Sequence, residues 1–201
     1  MNLSHLRRSL AALLATTLAS VAVLADPEPA PAPTTGASAD ASVAVEAPER
    51  PMAPSFACEG TSGATRRLAD YLGRAVIVVY EDRDSNHQND VLKQELAARA
   101  NAQDLTRDVA VVPVANLSGF DFWPARGYAR DAVVEIAREQ RMEILIDWTG
   151  AMARAYRFRP GVSYVMVLSR EGRVLFRHAG TLNSGARRSF FNAVAEAIGQ
   201  R

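Results

Sequence analysis

A lone cysteine, Cys58, and an acidic turn running into Ser85-Asn86-His87-Gln88 hold most of the side chains in this 201-residue chain that could do chemistry. A cysteine attacks only as its thiolate, so Cys58 would need a base or cation beside it; His87 and His178 are the candidate partners. With no second cysteine, no disulfide can close within the chain. We expect Cys58 to lie at the edge of a linker, poorly positioned for catalysis, and to be an incidental or partner-linking thiol. Asp82-x-Asp84-x-Asn86 matches the first three ligand positions of a calcium loop. His87 then stands where that loop needs glycine and Lys93 where it needs glutamate, so the match stops there. Asp82 and Asp84 are the candidate metal ligands, but the reading we favour is two solvated acids drawn to the positive end of the following helix. Ser85-x-x-Gln88 before a helical pattern reads as a capping box. Ser85 would accept from the Gln88 amide, and the Gln88 side chain would return to the Ser85 amide. His87, two residues on, would point away from Ser85 on a helix, which argues against a serine nucleophile. Phe120-Asp121-Phe122-Trp123-Pro124 gathers three aromatic rings in one stretch. We expect them to seal the sheet edge as core, with Pro124 opening a helix. If there is a binding surface, Phe120, Phe122 and Trp123 beside Glu81, Ser85 and His87 form it, because both stretches leave the C-terminal ends of strands.

These residues need elements to hold them. Residues 75–80, Ala-Val-Ile-Val-Val-Tyr, form an unbroken β-branched run, the mark of a strand buried on both faces. A short helical turn is expected over 65–72, ended by Gly73, and a helix over 86–102 with Val91, Leu92 and Leu96 inward. A second strand covers 109–114, weakened at Pro113 because proline cannot donate to a ladder. A helix over 128–140, a strand over 143–147 and a short helix over 150–156 follow. Strands over 163–168 and 173–178 are joined by Ser-Arg-Glu-Gly, a hairpin signature. A last helix over 184–198 carries Phe190, Val194 and Ile198 at helical spacing. The expected class is α/β, with a central mixed sheet, flanking helices and a C-terminal antiparallel hairpin.

Before the domain come two segments of different character. Residues 1–25 read as a secretory signal peptide: two arginines, an apolar stretch over 10–24, and small residues before a cut after Ala25. Residues 26–57 are rich in Pro, Ala, Ser and Thr, with five acidic residues against Arg50. Such a composition cannot offset the entropy of ordering, so this is a disordered, semi-extended acidic tether. The domain is then expected over 58–201. Its arginines are spread rather than clustered and Lys93 is the single lysine, which leaves no nucleic-acid footprint.

The order of elements and three stretches of sequence carry a resemblance. Leu68-Ala-Asp-Tyr-Leu-Gly-Arg-Ala-Val-Ile-Val-Val-Tyr resembles the opening of a redoxin-type thioredoxin-fold domain. So does Ile146-Asp-Trp-Thr-Gly-Ala-Met-Ala-Arg-Ala-Tyr-Arg-Phe, followed by Gly161-Val-Ser-Tyr-Val-Met-Val-Leu-Ser-Arg-Glu-Gly-Arg-Val. Over residues 65–198 the chain is similar to the YtfJ-type periplasmic proteins. Laid on that pattern, Ser85 and Gln88 stand where a thioredoxin carries the cysteines of its Cys-x-x-Cys. Ser163 stands where the family keeps its cis-proline. Without thiolates, exchange cannot run through this loop. The resemblance therefore implies a secreted or periplasmic, redox-inactive binding or scaffolding module. No cofactor is expected, the partner is an envelope protein, and the chain is not an integral membrane protein once its leader is removed. The competing expectation is a redoxin-type thiol oxidoreductase or peroxidase working through Cys58.

Overall fold

The structure, a computed structural model, describes residues 50–103 and 107–199. The expected leader, and the expected tether up to residue 49, lie outside the described residues. In chain order the elements are β1 (Ala57–Gly60), β2 (Thr65–Arg67), β3 (Ala75–Glu81), α1 (Asp90–Gln103), β4 (Val109–Asn116), α2 (Ala125–Gln140), β5 (Leu145–Asp147), α3 (Ala151–Tyr156), β6 (Tyr164–Leu168), β7 (Val174–Ala179) and α4 (Ser184–Ala197).

The β-branched run forms the middle of the sheet, as its composition requires. Strand β3 pairs with β4 in parallel and with β6 in antiparallel, and the full order is β2-β1-β5-β4-β3-β6-β7. Its side chains alternate between two cores. Val76, Val78 and Tyr80 face a cluster with Phe56, Cys58, Leu68, and Met152 and Tyr156 of α3. Ala75, Ile77 and Val79 face Leu92 of α1 and Phe190 and Val194 of α4. Helix α2 covers Ile146 and Trp148 with Ala129, Val133 and Ile136. The mixed sheet, its flanking helices and the antiparallel β6–β7 hairpin match the expected architecture.

Three local expectations change. The helical turn over 65–72 is instead strand β2 and a single 3-10 turn over Leu68–Asp70. Strand β1 is new; β2 pairs with it, Arg66 opposite Cys58, and β1 pairs with β5. The Arg66 guanidinium binds Glu143, 2.8 Å away, so pairing across the sheet edge overrides local helical preference. Helix α1 begins at Asp90 rather than residue 86, because residues 82–89 are held in turns. Strand β4 runs through Pro113 to Asn116; its pairing with β5 starts only at Val114, so Pro113 sits where β4 has one neighbour.

The order of the chain also begins before Cys58. Ala53 N donates to Gly172 O at 2.9 Å, Val174 N donates to Pro51 O at 2.9 Å, and Phe56 is buried. No helix among the described residues is long and apolar enough to cross a membrane.

Candidate functional site

Leaving β3, the chain turns through Glu81–Asn89 at the C-terminal end of the central strand. Asp82 organises the first half of this turn. Its Oδ1 accepts from Asp84 N at 3.1 Å, Ser85 N at 3.0 Å and Ser85 Oγ at 2.7 Å. Its Oδ2 accepts from Gly161 N at 2.6 Å. Ser85 Oγ in turn accepts from Asp82 N at 2.9 Å. Both carboxylate oxygens of Asp82 therefore bind the protein itself, which corrects the expectation of a solvated acid. Asp84 is exposed, as expected.

The capping box does not form. Ser85 faces Asp82, and Gln88 reaches across to the loop before β6. There the Gln88 Nε2 donates to Gly161 O at 2.8 Å, and Gln88 Oε1 accepts from Ser163 N at 2.9 Å. One carboxamide thus closes a pair of hydrogen bonds on another loop's backbone, as a neighbouring strand would. Asn89 repeats the device. Its Nδ2 donates to Ser163 Oγ (2.9 Å) and Gly180 O (3.1 Å), and its Oδ1 accepts from Leu182 N (2.9 Å).

An ion pair lies beneath. Lys93 Nζ is 2.8 Å from Glu81 Oε2, each side chain about one-eighth exposed. Glu81 Oε1 accepts from Ser163 Oγ at 3.0 Å, and Lys93 also donates to Asn86 O. Burial pushes the Glu81 carboxyl above its ordinary value, against the downward pull of Lys93 and the Ser163 hydroxyl. Among the described residues no buried side-chain nitrogen or oxygen lacks a hydrogen-bond partner. The cluster is saturated: it holds no thiol and no free base, and its chemistry is to lock three loops together.

Cys58 is elsewhere, in β1, 5 % exposed and packed in the Tyr80–Tyr156 core. This corrects the linker-edge position expected for it. Burial, with the negative charge of Asp147 second, pushes its thiol up to about 12. The charge that acts on it is thus an anion and not a histidine, the reverse of what a reactive cysteine needs. Asp147 accepts from Tyr80 Oη at 3.1 Å and from Ala151 N and Ala153 N, which caps α3. His87 pairs with Asp90 at 3.1 Å and His178 with Thr181 O at 3.2 Å.

Of the aromatic loop, Phe120 packs against the α2 cluster as expected, while Phe122 and Trp123 stand in solvent. The expectation that they seal the core is overturned for those two. Asn89, Ser163 as a partner of Glu81, and Tyr128 escaped sequence reasoning. Lys93 carried a usable signal, being the single lysine in an arginine-rich chain. The crevice between the ends of β3 and β4 and helix α2 is about 80 Å³, lined by Glu81, Asp82, Asn86, Pro113 and Val133 among others. Small-molecule sites run to several hundred Å³, several times this volume.

The arrangement of β3, β4 and β5 in parallel, the β6–β7 hairpin, and a helix springing from the loop after β3 can be compared with solved structures. An uncharacterised conserved protein from Geobacillus kaustophilus superposes with a TM-score of 0.57 at 19% identity, covering 77% of this chain and 84% of that one. A thioredoxin-family thiol:disulfide interchange protein from Chlorobium tepidum gives 0.52 at 18% identity, over 75% and 98%. A thiol-disulfide oxidoreductase from Bacteroides fragilis gives 0.52 at 15%, over 71% and 98%. The fold is thioredoxin-like. No protein-family profile matches the chain, and neither does any curated protein. Identities this low establish the thioredoxin-like fold and nothing about activity.

Proposed function

We propose that this chain is an exported, redox-inactive thioredoxin-like module that binds or scaffolds a protein of the cell envelope. The observation that carries the reading is Gln88. At a position where the resemblance would place a resolving cysteine, its carboxamide is engaged by Gly161 O and Ser163 N. Ser85, at the other such position, is fully buried and bound to Asp82. Disulfide exchange needs a thiolate that can be reached and a second thiol to resolve the mixed disulfide. The single cysteine supplies neither, being buried with its thiol held protonated. Export is supported by the leader-like residues 1–25 and the Pro/Ala-rich acidic stretch after them.

Disulfide reduction by the full chain, followed as insulin precipitation with dithiothreitol, tests the reading. The expected rate is that of dithiothreitol alone, unchanged by Cys58→Ala. Turnover above that background that disappears in Cys58→Ala would overturn it and establish a thiol enzyme working through Cys58.

A further inference from the structure

Strand β7 ends the sheet on its side, with β6 as its neighbouring strand. Its outer edge already takes a further partner at one end. Val174 N donates to Pro51 O and Ala53 N to Gly172 O, both at 2.9 Å, so Met52 lies opposite Arg173 as in an antiparallel ladder. Beyond that point the ladder stops. Gly180 N donates to Ser163 O at 2.7 Å, with Tyr164 opposite Ala179. Bonding alternates along an antiparallel strand, so Phe176 and His178 also turn toward β6, while Arg177 and Ala179 present their N–H and C=O outward. Among the described residues no backbone group bonds to them. A row of free donors and acceptors of this kind is a template for an added strand.

The charge beside this edge selects the strand. Residues 148–170 and 172–195, which include α3, β6 and β7, contain no aspartate or glutamate. Arg157, Arg159 and Arg177 are exposed, and none has a carboxylate partner among the described residues. Arg177 is held in place: its guanidinium donates to Tyr156 O at 2.6 Å and lies 5.4 Å from the Phe158 ring and 5.8 Å from the Tyr164 ring. Arg157 and Arg159 flank Phe158 in the chain, and Arg159 N donates to Tyr164 Oη at 3.1 Å, so all three arginines belong to one face of the sheet. Side chains of an added strand alternate between faces, and carboxylates at every second position would all meet this one. A second copy of β7 is a poor occupant. Laid antiparallel, it brings Arg177 opposite its own copy or onto the diagonal, like charge against like.

We infer that the outer edge of β7, at residues 175–179, takes an extended acidic segment of a partner protein as an added strand. This deepens the proposed function and rests on it, naming the surface that binds and the kind of segment it binds.

A capped hexapeptide alternating valine and glutamate, labelled with fluorescein and titrated with the full chain, tests it by anisotropy. Binding is expected, and Arg157→Gln with Arg159→Gln should weaken it about fivefold. Methylating the peptide's backbone nitrogens should abolish it, a control that leaves the protein untouched. At saturation the Arg177 and Ala179 amides should exchange about tenfold more slowly, while Phe176 and His178, bonded to β6, change little. No binding at millimolar peptide overturns the inference, as does binding that leaves the Arg177 and Ala179 amides exchanging as before. Slow exchange of those amides without peptide also overturns it. Slowing that grows with protein concentration assigns the edge to a second copy, and slowing that does not assigns it to another stretch of this chain. None of these results predicts the insulin rate, so the edge and the redox inactivity fail separately.

Discussion

Cys58 shows how far one residue's chemistry is set by its surroundings. In β1 it lies among Tyr80, Tyr156 and Leu145, and Asp147 is the charge that acts on it. Burial and that anion oppose thiolate formation alike. The raised value gives the sign of the pH dependence directly. In the unfolded chain the thiol ionises near its ordinary value of 9.0, and in the folded chain near 12. The folded state therefore keeps its proton longer. This contribution is fully present below pH 9 and is lost as pH rises from there through about 12. Alkylation by iodoacetamide at pH 8 should accordingly be slow in the native protein and should speed up in step with unfolding by urea. Fast labelling of the folded protein at pH 6, with sulfenic acid formed on peroxide treatment, is the contrary result.

Among the elements, the turn between β3 and α1 is the instructive one. Ser85 and Gln88 are three residues apart, and a capping box would make them one energetic unit. The structure gives their side chains different first partners, Asp82 for Ser85 and the 161–163 loop for Gln88, and Asp82 itself accepts from Gly161 N in that loop. Gln88→Ala leaves Gly161 O and Ser163 N without their bonds, and the expected loss is about 2–4 kcal/mol in urea denaturation. Ser85→Ala should cost about 1 kcal/mol or more. Because Asp82 also holds Gly161 N, in the residue whose carbonyl Gln88 holds, the double variant should fall short of the sum by about 0.5 kcal/mol or more; strict additivity in the same denaturation would mean that the two side chains act separately. This turn also shows where reading the sequence stops. Strand β3 was legible because six apolar, mostly β-branched residues in a row admit few other solutions, and the β6–β7 hairpin because Gly172 marks its turn. The start of α1 was misplaced because Ser-x-x-Gln is a local signature. The partner that Gln88 takes lies 73 residues away. Strands β1 and β2, four and three residues long, lack a periodic pattern and exist through pairing with each other and with β5. Exposure of Trp123 is likewise a property of tertiary packing that no local pattern encodes.

For the molecule as a whole, the residues before β1 belong to its stability. Pro51 O, Ala53 N and Pro54 O are all bonded into the domain, the last to the Tyr156 hydroxyl, and Arg50 pairs with Glu196 at 2.6 Å. Phe56 fills the core on the Tyr80 side of the sheet. A chain begun at Cys58, where composition alone places the domain boundary, should lose about 3–5 kcal/mol against one begun at Arg50, mainly through Phe56. Urea midpoints of the two chains measure this. Equal midpoints would mean that the segment before β1 adds nothing to the fold.

The Gln88 bridge also limits what position 88 can hold. Cysteine there strands two backbone groups, Gly161 O and Ser163 N, at about 1–3 kcal/mol each. Cysteine at position 85 removes the hydroxyl that Asp82 holds. A domain holding only about 5–15 kcal/mol in total tolerates few such losses. A replacement at position 88 must offer a donor and an acceptor at once, so the turn tolerates little variation there.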